Sequence, residues 1–126
     1  WSSDVCSSDL EIIFRIIYSA SDIFLIPSII EALGQTAIES GSCSTPIIGF
    51  KNTGVTQVID HKKNGYLANY CDVNDLNDGI KWCMKEITEK NNILGHNARS
   101  KILTHFSEEV VSNKYENVYN SIINKD

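Results

Sequence analysis

Two carboxylates, Glu31 and Glu39, stand eight positions apart in the run Pro27–Pro46, with Gly34 between them. A carboxylate can accept a pair of hydrogen bonds from the vicinal hydroxyls of a ribose. A glycine lets the backbone turn tightly and come close to a ligand. If a helix starts near Gly34 or Gln35, its free N–H groups and the positive end of its dipole make a site for a phosphate. Glu39 then lies roughly one turn further on, at ~1.5 Å of rise per residue. Spacing alone also fits two solvated surface acids. Context puts a phosphate- or nucleotide-type ligand on an equal footing with that reading: both acids lie between apolar, strand-like runs and outside any charge run, the nearest basic residue downstream being Lys51.

The elements that must position these acids can be read from hydrophobic periodicity. Ile12, Ile13, Ile16, Ile17 and Ala20 have helical spacing and predict the end of an amphipathic helix over Glu11–Ala20. The continuous apolar run Ile23–Ile26, stopped by Pro27, predicts a strand buried on both faces, as in a parallel sheet. Gly34–Ser42 comes next as a helix and Pro46–Phe50 as a second buried strand, giving the βαβ order of a doubly wound domain. In such sheets ligands bind beyond the carboxyl ends of the strands, which puts Glu31 on that rim.

Downstream, Asn52–Gly54 predicts a turn, Val55, Val58 and Ile59 a short helical piece, and His61–Gly65 a polar turn. Tyr66–Ala68 is short, as befits one edge strand. Asp72 suits the N-cap of a helix carrying Val73, Leu76, Ile80, Cys83, Met84 and Ile87 on one stripe, with Asp75 in its first turn. A helix over residues 92–106 and a last one capped by Ser107 complete the chain. Val110, Val111, Tyr115, Val118, Tyr119 and Ile122 form the apolar face of the last. The fold class is therefore α/β, a partial Rossmann-like parallel sheet with flanking helices and a C-terminal helical tail.

Composition narrows the function classes. The 126 residues suit one compact domain, with 42% hydrophobic and 21% charged residues. A net charge of -5 carries no electrostatic footprint for nucleic acid. No apolar run reaches the ~20 residues that cross a bilayer. Cys43, Cys71 and Cys83 match neither a metal-site spacing nor a disulfide framework and read as buried, reduced thiols of a cytoplasmic protein. His61, His96 and His105 have no partner at triad spacing and read as surface or packing residues. Lys62 and Lys63 read as a solvated turn, and Trp82, Tyr115 and Tyr119 as packing for the helical tail.

The segment Trp1–Leu10 is polar and Ser-rich, and lacks the Ile, Lys and Asn character that begins at Glu11. It reads residue for residue as a translated sequencing adapter, and it is set aside from fold reasoning as non-native. The expectation is an N-terminally truncated domain over residues 11–126.

Several motifs in order resemble the C-terminal, donor-binding domain of family 4 retaining glycosyltransferases, which have the two-domain GT-B architecture. They are Tyr18-x-x-x-Asp22, Pro27-Ser28-x-x-Glu31-x-x-Gly34-x-x-x-x-Glu39, Thr45–Phe50, Thr53-Gly54-Val55 and Asn64-Gly65-Tyr66-Leu67, closed by Phe106-Ser107 with Tyr115 and Tyr119. The resemblance spans Glu11–Ile123. Its E-A-L-G-Q-T-A form is similar to enzymes of exopolysaccharide, colanic-acid-type assembly.

The resemblance implies transfer of a sugar from a nucleotide-diphosphate donor to an acceptor hydroxyl with the anomeric configuration retained. Glu31 matches the acid that contacts the donor sugar at the reaction centre. Ala32, Leu33, Gly34, Gln35 and Thr36 match the loop and helix start whose amides hold sugar and diphosphate, and Glu39 matches the ribose-binding acid. No cofactor and no metal are implied, the nucleotide sugar being a substrate. A sugar or lipid-linked acceptor would be met by a domain upstream of Glu11, as would the basic pair that neutralises the diphosphate, so the chain alone is expected to be inactive. Localisation would be cytoplasmic, with room for peripheral contact at the inner face of the membrane.

Some positions depart from the family pattern. Leu33 stands where Phe is usual, Gln57 replaces an acid, Gly41 sits inside a helix at a cost of about 1 kcal/mol relative to Ala, and Ser44 replaces a capping Gly. Two other readings stay open: a phosphorylase or epimerase of the same architecture, and a non-catalytic α/β ligand-binding or regulatory module.

Overall fold

The computed structural model describes residues 5–123. Its elements are α1 (Val5–Ala20), β1 (Phe24–Ile26), α2 (Gln35–Ser42), β2 (Ile47–Phe50), a 3₁₀ turn (Gly54–Gln57), β3 (Gly65–Ala68), α3 (Val73–Glu89), α4 (Ile93–His105) and α5 (Glu108–Ile123). Of the adapter-like segment, Trp1–Asp4 lies outside the described residues, while Val5–Leu10 forms the first turns of α1.

The three strands form a parallel sheet in the order β1-β2-β3, with Phe24 opposite Ile47 and Ile47 opposite Gly65. The central strand β2 is buried along its whole length. Its side chains alternate between faces, as the period of two requires. Ile47 joins Ile26, Ala37, Val55, Val58, Ile59 and Ile102 in one apolar layer. Ile48 packs with Cys83 and Leu94 in the other, flanked by Tyr66, Ile80 and Trp82. The sheet is thus covered on both sides, the α/β architecture expected from the element order.

Local signals explain most boundaries. The Asp72 carboxylate accepts the N–H groups of Asn74 and Asp75 at 3.0 and 3.1 Å, so it caps α3 as its residue type predicts. Asp75 does more than complement the dipole. Its Oδ1 accepts the Tyr66 hydroxyl at 2.7 Å and its Oδ2 the Asn69 N–H at 2.7 Å, tying α3 to the end of β3. These two donors, the backbone one foremost, hold the Asp75 carboxyl below its usual pKa. Asn64 is a buried bracket rather than a plain turn residue: it donates to Val58 O at 3.0 Å and accepts from Asp60 N at 2.8 Å.

The structure corrects several expectations about burial. β1 lies at the sheet edge, so Leu25 is 41% exposed and the strand is not covered on both faces. Ile12, Ile13, Ile16 and Ile17 form the helix their spacing predicts, yet they are exposed, and over residues 10–20 of α1 it is Tyr18 that enters the core. On α3 Val73 and Met84 are exposed, and the buried stripe runs through Gly79 and Cys83, with Gly79 seated against the Tyr66 ring. Tyr115 and Tyr119 of α5 do not pack the tail but are 64% and 62% exposed. Cys71 is exposed and Cys43 half-buried, so Cys83 alone of the three is a buried thiol. Lys62 and Lys63 are exposed as expected, and the Lys62 ammonium also lies 5.8 Å from the Tyr66 ring and 5.7 Å from the Trp82 ring.

Candidate functional site

Parallel strands put the β1–α2 loop and the turn after β2 on the same rim of the sheet. Gly54 joins them: its N–H donates to Glu31 O at 2.7 Å. The fit is so close that a Cβ on Gly54 would sit 2.0 Å from Ala32 O. Glycine is therefore required there by backbone approach. Gly34 is required for a second reason. Its φ of 84° is left-handed, and an added Cβ would also meet Val55 Cγ1 at 3.1 Å.

Gly34 ends the loop and starts α2. Ala37 N and Ile38 N both donate to its carbonyl, at 2.9 and 3.1 Å, so the N–H groups of Gln35 and Thr36 precede the first intrahelical bonds. Among the described residues no side chain caps this end, and no acid sits in the first turn. The helix start is thus an open set of donors with the positive dipole end outward.

Glu31 uses part of this donor set itself. Its Oε1 accepts Ala32 N–H and Gly34 N–H, each at 3.1 Å. The carboxylate is folded onto the very loop whose amides were expected to meet a donor, leaving Gln35 and Thr36 as the outward pair. Ala32, Gln35 and Thr36 are not buried, whereas the Leu33 side chain packs on the core.

Glu39 is placed differently. Its Oε2 accepts the Tyr18 hydroxyl at 3.1 Å, across from α1. The two residues border a cleft of ≈ 330 Å³ between α1 and α2, which Phe14, Arg15, Gln35 and Cys43 also line. Glu31 does not line it. The structure therefore brings Gln35 and Glu39 together in one cleft and keeps Glu31 on the loop beside it, rather than gathering both acids in a single crevice. Tyr18 is the residue whose role sequence reasoning missed; it was visible only as part of a motif with Asp22. Burial first, then the Glu39 hydrogen bond, push its phenol up to about 12.

α2 ends as it must to return the chain to β2. Ser44 takes a left-handed φ of 64°, the glycine-favouring position, while Ser44 N donates to Gly41 O at 3.0 Å and Thr45 N to Ser40 O at 3.2 Å. Gly41 is a packing residue: a Cβ there would meet Ile102 Cγ1 at 3.0 Å and Ile47 Cδ1 at 3.3 Å, so its absence lets α4 close on α2. Arg99 donates to Ser42 O at the same end. Among the described residues no cluster of three or more His, Cys, Asp or Glu could hold a metal ion. Nor, among them, is any helix long and apolar enough to cross a membrane.

The family model for glycosyl transferases group 1 matches residues 8–101, which include the rim, both acids and the cleft. The chain belongs to that family. Among curated proteins it is similar to the N-acetyl-alpha-D-glucosaminyl L-malate synthase of Bacillus anthracis, 29% identical over 84% of this chain and 28% of that protein. Among solved structures it is similar to the sucrose-phosphate synthase of Thermosynechococcus elongatus, with a TM-score of 0.76 and 27% identity over 88% of this chain and 28% of the other. HepE of Anabaena, solved with UDP-glucose, shares the fold with a TM-score of 0.74 at 21% identity, over 83% of this chain and 29% of its own. The chain thus spans little more than a quarter of the length of these relatives.

Proposed function

We propose that this chain is the nucleotide-sugar-binding part of a retaining glycosyltransferase that moves a sugar from a nucleotide-diphosphate donor to an acceptor hydroxyl, in cell-surface polysaccharide synthesis. The observation that carries the reading is the pairing of an uncapped helix start at Gln35–Thr36 with a carboxylate, Glu39, in the adjoining cleft. A phosphate suits the first and a ribose suits the second. Family membership supports glycosyl transfer as the chemistry, and HepE, a fold relative, was solved with UDP-glucose.

In this reading Glu39 binds the ribose hydroxyls, and the amides of the Ala32–Thr36 loop hold sugar and diphosphate. Glu31 works at the donor sugar. The loop amides it now accepts from become available to the donor when its carboxylate turns away. Helix-start donors and basic groups stabilise the departing diphosphate, so no metal is called for. EDTA is expected to leave nucleotide binding unchanged. The acceptor, sugar or lipid-linked, meets the remainder of the enzyme, at or near the cytoplasmic membrane face.

The test is a pair of substitutions in the full-length enzyme. Glu39→Ala should raise the donor KM about tenfold or more, the worth of a charge-assisted hydrogen bond. Glu31→Ala should lower kcat with little change in KM, the pattern of a group acting mainly in the transition state. Wild-type kinetics in both variants would reject the assignment.

A further inference from the structure

We infer that Tyr18 is a positioning residue for Glu39, fixing the direction in which that carboxylate presents itself to the α1–α2 cleft. The inference rests on the reading of Glu39 as a ribose acceptor. A glutamate on a helix surface samples many rotamers, and a ligand that needs one of them must freeze the rest. Here the freezing is done in advance. Tyr18 Oη donates to Glu39 Oε2 at 3.1 Å from a different element, 21 residues earlier in the chain. Because a carboxylate is planar, holding one oxygen narrows the directions open to the other.

The phenol is itself packed in place. Tyr18 is 7% exposed. Its ring meets Phe24 edge-on at 5.6 Å and lies stacked 6.3 Å from Phe14. Its carbonyl accepts the Thr45 hydroxyl at 2.6 Å, which pins the end of α1 to the segment leaving α2. With its pKa pushed up to about 12, the hydroxyl keeps its proton at neutral pH and remains a donor. The arrangement removes rotamer freedom before the ligand arrives, the usual source of affinity from preorganisation. Tyr18 acts through Glu39 and does not itself touch the reacting atoms.

The experiment compares ribose recognition in the wild-type chain, Tyr18→Phe and Glu39→Gln, by amide NMR titration with UDP, GDP and their 2′-deoxy forms, alongside a thermal melt. The Phe variant keeps the ring and loses only the hydroxyl, so its fold should survive. The expected result is a preference for ribonucleotide over deoxynucleotide in wild type that falls about fivefold in Tyr18→Phe, a fraction of one hydrogen bond to a charged group. Glu39→Gln should lose the preference as well. A purely structural tyrosine would lower the melting temperature and weaken all four nucleotides alike, leaving the ratio intact, and that outcome overturns the inference. So does a wild-type ratio in Tyr18→Phe when Glu39→Gln has lost it, although the nucleotide reading then stands. A wild-type chain that binds none of the four, or a Glu39→Gln variant with an unchanged ratio, rejects the nucleotide reading and this inference together.

Discussion

Glu31 and Glu39 are the same residue type only eight positions apart, yet they are held by opposite means. Glu31 is fixed locally: its carboxylate bonds N–H groups one and three residues ahead, and Gly54 presses on its backbone. Glu39 is fixed at long range by a buried tyrosine on another helix. A locally fixed acid can exchange its partners for a ligand without disturbing the core. An acid fixed by tertiary packing stays where it is. The contrast parallels the roles proposed above, Glu31 acting at the donor sugar and Glu39 binding the ribose.

The largest effect should come from Gly54→Ala. The added methyl meets backbone rather than a flexible side chain, at 2.0 Å from Ala32 O. The β1–α2 loop must shift, and urea denaturation should show a loss of about 3 kcal/mol. A change within ~0.5 kcal/mol, the range of an ordinary surface substitution, would mean that the Glu31 loop is not braced as described.

The second test uses pH to probe the tyrosine that holds Glu39. Tyr18 and Tyr66 both rise from 10.0 to about 12, Tyr18 chiefly by burial and Tyr66 chiefly by its hydrogen bond to Asp75. A folded-state pKa above the unfolded value means that the stabilisation is full below pH 10 and is lost as pH climbs from 10 toward 12. Chemical denaturation across that window should show stability falling in wild type and falling less in Tyr18→Phe. Parallel curves would show that the Tyr18 phenol is not held buried and protonated where α1 meets α2.

Two smaller changes sharpen the contrast. Gly34→Ala, at φ 84°, should cost about 1–2 kcal/mol and perturb the Glu31 loop first. Ser44→Gly acts at the far end of α2, where Ser44 holds a left-handed φ of 64°. It should gain roughly 1 kcal/mol in thermal denaturation. Destabilisation instead would mean that the hydroxyl, not the backbone angle, is what matters at that turn.

Much of the fold was legible because it rests on local signals. The Pro-bounded apolar run of β2, the Asp72 cap and the Gly34 helix start each depend on residues within a few positions of one another. Strand order is not local, so the edge position of β1 and the exposure of Leu25 could not be read. For the same reason helical periodicity found α1 and α5 but not the exposure of their apolar faces. At the site, type and spacing singled out both glutamates. The folding-back of Glu31 depends on loop torsions, and the Tyr18–Glu39 bond on how α1 crosses α2. Neither is written in a periodicity.

The role of the Gly34–Glu39 segment in holding a nucleotide sugar is best tested by an amide NMR titration of this chain with UDP- and GDP-sugars, wild type beside Glu39→Ala. Weak binding is expected, with shifts concentrated on the amides of Gly34, Gln35, Thr36 and Glu39, and their marked reduction in the variant. Shifts confined to other faces of the domain, or equal shifts in both proteins, would contradict that role.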